Sequence, residues 1–264
     1  MFAGANERHD WDYLTKLAPK DGSVQLQKIT TQMGVLVLAG PKSREVLQKL
    51  TDTDLSNDKF KWLTGKPINV GYAQAEALRV NFVGELGWEL HHPIEMQNYI
   101  FDELMKAGAE FDIKPFGIRA MDSMRLEKSY RLIPREMSIE YAALESGLDR
   151  FVKLDKECDF VGKTALLDWQ KRGFVNSFVT LEVHDVEDAD ARGSEGLYKD
   201  GELVGRATSG GFGFRVNKSL ALGLVQVAYG VEGTELEIEI LGKRRRATVI
   251  SESAFDPDNA ALRS

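Results

Sequence analysis

The chain has 264 residues, 43% of them hydrophobic and 28% charged, with 41 acidic against 34 basic side chains and a formal charge of -7. That length is somewhat under two average domains of about 150 residues each, and it buries a sizeable core without disulfides. An acidic balance excludes wholesale nucleic-acid binding, which needs a dense Lys/Arg surface. The single cysteine, Cys158, excludes an intramolecular disulfide framework and points to a reducing compartment. No apolar run approaches the ~18 residues of a bilayer span. The N-terminus lacks the basic, apolar and small-residue order of a signal peptide. The expectation is a soluble, cytoplasmic protein with neither nucleic-acid nor membrane partners.

A helix is predicted from about Asn6, a suitable N-cap, to Leu17. At about 100° per residue, Asp10 falls on the same arc as Trp11, Tyr13, Leu14 and Leu17, while Arg8, Asp12 and Lys16 fall opposite. Met33 to Ala39 is a continuous apolar run of strand length and reads as buried on both faces. Gly40-Pro41 breaks it, and Pro41 suits the first turn of a helix from Lys42 to Leu50. Val70 to Val83 reads as strand around a turn, with Leu78, Val80 and Phe82 alternating. Gly84-Glu85-Leu86-Gly87 interrupts it before Trp88-Glu89-Leu90 resumes. Helices are predicted at about Glu95 to Ala107, Gly117 to Ser129 and Lys163 to Lys171.

After Asn176 the pattern changes to short strands. Val179, Leu181 and Val183 alternate, Lys199-Asp200-Gly201-Glu202 is a hairpin turn, and Asp185 to Asp190 reads as an exposed loop. Leu236, Ile238 and Ile240 alternate with glutamates, and Gly242-Lys243 turns the chain back towards Arg246 to Ile250. The economical fold class is α+β: a mixed α/β region over residues 1–155, then an antiparallel β-barrel or sandwich over residues 160–264.

Few residues carry obvious chemistry. The four histidines show no metal-ligand spacing, so no metal site is assigned. Nucleotide-binding loops of the GxGxxG or Walker type and a nucleophile elbow are also missing from the sequence. Ser209-Gly210-Gly211-Phe212-Gly213 reads as a tight bend or bulge. Lys243 to Arg246 reads as a solvated turn rather than a nucleic-acid patch. Two carboxylates stand out. An unpaired Asp10 on an apolar arc costs several kcal/mol or shifts its pKa upward, so it either pairs structurally or faces a cavity where its charge is used. Glu85 lies between glycines that allow close backbone approach to a ligand, and an ordinary charged turn residue is the equal alternative.

The sequence resembles the folate-binding aminomethyltransferase family, typified by the glycine cleavage T-protein. It looks closest to the folate domain of dimethylglycine and sarcosine dehydrogenases. The resemblance rests on Ala5-Asn6-Glu7-Arg8-His9-Asp10-Trp11, Gly34 to Pro41 and Phe82 to Leu90. It continues through Met121-Asp122-Ser123-Met124-Arg125-Leu126-Glu127-Lys128-Ser129-Tyr130, Asp159 to Lys163, Thr208-Ser209-Gly210-Gly211 and Lys218-Ser219-Leu220-Ala221. These stretches keep the family order along nearly the whole chain.

The resemblance implies that Asp10 is the catalytic aspartate, that Glu85 contacts the pterin ring and that Tyr130 lines the folate pocket. T-proteins usually carry an arginine directly before the aspartate matched by Asp122. Here that residue is Met121, and Arg119 is the candidate replacement for folate contact. The implied activity is one-carbon transfer to tetrahydrofolate, forming 5,10-methylenetetrahydrofolate. The donor would be an amine or a lipoyl-bound aminomethyl group, delivered with a flavoprotein or a lipoyl carrier protein. The family pattern also implies a further segment ahead of the helix holding Asp10, so the chain reads as N-terminally incomplete and as an enzyme once that segment is supplied. A non-catalytic folate-binding module partnering a separate flavoprotein dehydrogenase is the alternative.

Overall fold

A computed structural model describes residues 4–264. Helix α1 (Glu7–Leu17) starts one residue after Asn6, whose side chain makes no capping hydrogen bond. It ends where Pro19 forces Ala18 into extended backbone, at φ −60° and ψ 138°. Strands β1 (Met33–Ala39), β2 (Gly65–Val70), β3 (Ala73–Leu78) and β4 (Gly87–Pro93) form an antiparallel sheet in the order β1-β4-β3-β2. One face carries Leu38, Ile68, Val70, Ala75, Ala77, Trp88 and Leu90. It is covered by α2 (Ser43–Gln48) and α3 (Gln97–Gly108) through Val46, Leu47, Ile100 and Leu104.

The opposite face corrects one expectation. Val35 and Val37 are 41% and 43% exposed, so the apolar run of β1 is buried on one side only. Its partners across the ladder on that side are His91 and Glu89. An antiparallel edge strand packs one face and leaves the other to solvent, a geometry that a run of valines and leucines does not disclose. The alternation of Leu78, Val80 and Phe82 also overran. The strand stops at Leu78, and the segment that follows is irregular as far as Gly87.

Helix α4 (Ile118–Glu127) follows, then α5 (Lys163–Arg172). From Asn176 the chain is β-structure, as the change of pattern predicts. Strands β5 (Asn176–Val183), β6 (Gly196–Lys199), β7 (Glu202–Gly213), β8 (Lys218–Gln226), β9 (Glu235–Ile240) and β10 (Lys243–Ile250) close into a barrel in the order β10-β5-β8-β7-β6-β9. A short helix, α6 (Ala260–Arg263), ends the chain. Closure pairs every strand on both sides and removes the exposed edges of an open sheet. The interior holds Val179, Leu181, Val183, Leu236, Ile238 and Ile240, the residues whose alternation marked the strands.

The glycine-rich run lies within β7, where the register with β8 shifts between Ala207 and Ser209. A Cβ at Gly210 would stand 2.6 Å from the carbonyl oxygen of Ala191, so glycine is required by close backbone approach. The basic run opens β10, with Lys243 and Arg245 paired to Asp188 and Arg244 to Glu239. Strand β8 is buried along nearly its whole length. Ala221 and Val225 face the barrel core, and α4 packs over β7 and β8 from outside. That packing brings the end of α4 against the mouth of the β7–β8 turn. Among the described residues no helix is long and apolar enough to cross a membrane.

Candidate functional site

The irregular segment after β3 is shaped by Asn81. Its side-chain oxygen accepts from the backbone N–H groups of Val83 and Gly84 at 2.9 and 3.1 Å, and its amide donates to the carbonyl of Glu85. Gly84 takes φ +75°, and a Cβ there would collide with Lys128 Cγ. The glycine thus serves both the left-handed turn and the contact with a buried lysine. The turn projects Glu85, whose side chain is 20% exposed and accepts from Arg215 Nη1 at 2.8 Å through Oε1.

Arg215 comes from the β7–β8 turn. Its Nε and backbone N–H both donate to the fully buried carboxylate of Glu127, and Nη2 donates to the Met124 carbonyl at 3.0 Å. Its guanidinium lies 3.9 Å from the centroid of the Phe255 ring. Four segments therefore meet at one arginine: the Glu85 turn, the end of α4, the barrel and the C-terminal stretch.

Tyr130 stands beside this joint. Phe82, from Glu85's own segment, stacks on it with centroids 5.6 Å apart and planes 26° from parallel. Burial pushes the Tyr130 hydroxyl above its ordinary pKa of 10.0. Its backbone is fixed by buried Arg125, which donates to the Tyr130 carbonyl at 3.1 Å, to Asp122 at 2.7 Å and to Ser209 Oγ at 2.9 Å. Buried Glu136 accepts from Thr208 and Ser209 through one oxygen and from the Leu132 N–H through the other. Lys128 is buried as well, donating to the carbonyls of Phe255 and Asp256, and burial lowers its pKa.

The structure thus brings Glu85 and Tyr130 into one cluster. The other two candidates lie on α1 and in the first turn of α4. Asp10 is half-buried, and its Oδ1 lies 3.0 Å from Nδ1 of the adjacent His9. Helix α1 has no buried side chain; it is tied to the body by Glu7 accepting from Thr30 and by Lys28 over the Trp11 ring. Among the described residues Asp10 makes no hydrogen bond to Glu85, Tyr130 or Arg215. Arg119 is exposed in the first turn of α4. Met121, two residues on, instead lines a largely apolar cleft of about 660 Å³ with Val37, Phe82, Val83, Glu89 and Phe116. Sequence reasoning missed Arg215, Glu127 and Glu136. Glu127 lies inside the Met121 to Tyr130 motif with no local signal of its role, and Arg215 follows a glycine run that suggests only a bend.

Comparison with known proteins agrees with this architecture. Residues 1–156 match the GCVT N-terminal domain, and residues 176–256 match the glycine cleavage T-protein C-terminal barrel domain. Human dimethylglycine dehydrogenase, a mitochondrial protein, is 41% identical over 248 residues, covering 94% of this chain and 28% of that protein. An aminomethyltransferase of Thermoanaerobacter sp. strain X514 is 33% identical over 234 residues, 88% of this chain and 62% of that one. The crystal structure of the glycine cleavage system aminomethyltransferase T from Bartonella henselae superposes with a TM-score of 0.81 at 25% identity, covering 96% of this chain and 67% of that one. The chain thus spans less than a third of the dehydrogenase and about two thirds of the aminomethyltransferases. With both halves of the chain matched in order, and the barrel in place, it belongs to the glycine cleavage T-protein family.

Proposed function

We infer that this chain binds tetrahydrofolate and carries one-carbon transfer to it, in the manner of an aminomethyltransferase or of the folate region of a dimethylglycine dehydrogenase, with 5,10-methylenetetrahydrofolate as product. The observation that carries the reading is the Glu85 cluster. One carboxylate oxygen is held by Arg215 while the side chain stays partly exposed, and three residues earlier in the same segment Phe82 stacks on Tyr130 and, with Val83, lines an apolar cleft. A pterin presents an amino group and a ring N–H on one edge and a flat face on the other. A fixed acceptor beside aromatic surface suits both. The residues present therefore fit the group.

When bound, tetrahydrofolate supplies the nitrogens that take up the one-carbon unit. Glu85 accepts hydrogen bonds from the pterin edge and sets its orientation, and Phe82 and Tyr130 cover the ring. Asp10 stabilises developing positive charge and accepts or relays a proton, a contribution of about 10²–10⁴-fold for a well-placed base. The donor is an amine or a lipoyl-bound aminomethyl group, brought by a flavoprotein dehydrogenase or a lipoyl carrier protein.

A second reading, folate binding without turnover by this chain alone, is favoured by α1. It buries no side chain, and Asp10 faces His9. The experiment that tests both is titration of the protein with tetrahydrofolate, followed by an assay for methylenetetrahydrofolate with a one-carbon donor added. Binding with product formation supports transfer, and binding without it supports the module.

A further inference from the structure

We propose that Arg215 is the positioning residue for the Glu85 carboxylate: from the barrel, it fixes Glu85 Oε1 so that the second oxygen faces the ligand edge. The inference rests on the reading of Glu85 as a folate ligand and assigns the arginine of that site to the β7–β8 turn. The family pattern leads one to expect an arginine before Asp122; that position is Met121 in the apolar cleft, and Arg119 is exposed. Among the described residues Arg215 is the cation hydrogen-bonded to Glu85, from 130 residues away.

Its own geometry is over-determined. The guanidinium donates to Glu85, Glu127 and the Met124 carbonyl at once, while Phe255 stacks on its face. Glu127 is completely buried and its two oxygens are taken by the Arg215 side chain and backbone, so it anchors the arginine rather than offering itself to a ligand. Of the two carboxylates that Arg215 holds, Glu85 is the partly exposed one. A rigid planar fork can hold one carboxylate by one nitrogen and a second by another, and a flexible ammonium cannot reproduce both directions. Arg215 thus acts through Glu85, without needing to touch the ligand, and couples ligand grip to the docking of the barrel on α4.

The test uses the whole chain and four variants: Glu85→Gln, Arg215→Lys, the two combined, and Phe255→Leu, which removes the stacking surface but leaves both ion pairs. Tetrahydrofolate affinity is read by calorimetry and folding by thermal melting. Arg215→Lys is expected to weaken tetrahydrofolate about tenfold, and Glu85→Gln at least as much. The double variant should be no weaker than Glu85→Gln alone, because the arginine has nothing left to position. Phe255→Leu should weaken binding in the same direction by less, which keeps the test alive if Arg215→Lys does not fold. Unchanged affinity in Arg215→Lys or Phe255→Leu, with only the melting temperature lowered, would make Arg215 a structural tie and overturn the proposal. Additive losses in the double variant would overturn it too, by giving Arg215 an effect independent of Glu85. If Glu85→Gln alone changes nothing, the folate reading of Glu85 fails and the positioning role fails with it.

Discussion

The Glu85 turn concentrates several demands on single residues. Gly84 combines a φ of +75° with direct contact against the stem of buried Lys128. Gly84→Ala should destabilise the fold by about 1–3 kcal/mol, from strain in the left-handed region and displacement of the lysine, read as a lower urea midpoint. A loss under a few tenths of a kcal/mol would show that the turn relaxes freely. Tyr130 makes a pH-dependent prediction. Burial raises its pKa above 10.0, so the unfolded chain loses the phenolic proton first as the pH rises. The folded state then binds more protons than the unfolded one, and stability falls with pH above about 10. Urea melts of the parent and of Tyr130→Phe at about pH 8 and pH 10.5 should show the parent losing ground to the variant at the higher pH. A difference constant across that range contradicts the buried phenol. At this scale the sequence exposed Glu85, because its glycine neighbours are adjacent in the chain. Arg215 was hidden because its partner is 130 residues away and no local period encodes that meeting.

Elements were legible in proportion to how far local pattern decides them. The strands β5 and β9 show strict alternation, and their alternate residues fill the barrel. The helices α3 and α5 fall within two residues of their predicted starts and ends. Strand β1 is the counter-example: continuous apolarity suggested two buried faces, yet Val35 and Val37 are exposed because helices cover only one side of its sheet. Helix α1 shows the same limit. Its apolar arc is present in the sequence, but Tyr13 and Leu17 are 48% and 51% exposed. Phase identifies which residues share a face and says nothing about what meets it. Asp10 belongs to this helix, and its role is separable from packing. Asp10→Asn should leave the melting temperature within about 1 °C, since neither Asp10 nor any other α1 side chain is buried and, among the described residues, its carboxylate pairs with an exposed His9 alone. If Asp10 acts in the transition state, methylenetetrahydrofolate formation should drop about 10²-fold or more at unchanged folate affinity. Full turnover in a stable variant would remove it from the mechanism.

The whole molecule is held together by charged residues, three of them inside the Met121 to Tyr130 motif and the fourth, Arg131, directly after it. Arg125, Glu127, Lys128 and Arg131 follow one another at the end of α4, and all four are buried. They reach Ser209 and Arg215 in the barrel and Glu252, Phe255 and Asp256 after it. The hydrophobic cores of the sheet and of the barrel are separate clusters, and this polar seam joins them. Breaking it on one side should be costly. Glu136→Gln sets an amide against the Thr208 and Ser209 hydroxyls and the Leu132 N–H, and takes a negative charge from 3.8 Å beside Arg125. The expected loss is about 3–5 kcal/mol in urea unfolding. A loss below about 1 kcal/mol would mean that the seam is not what unites the two cores.

The same seam delivers Arg215 to Glu85 and places Tyr130 beside Phe82, and this junction is the proposed folate site. The measurement that tests it most directly is calorimetric titration of tetrahydrofolate into the parent chain and into Glu85→Gln. Saturable binding to the parent is expected, with a loss of about 1–3 kcal/mol in the variant, the cost of a polar group mispaired once the ligand covers it. Equal affinity in the two proteins, or no binding to a folded parent, would contradict it.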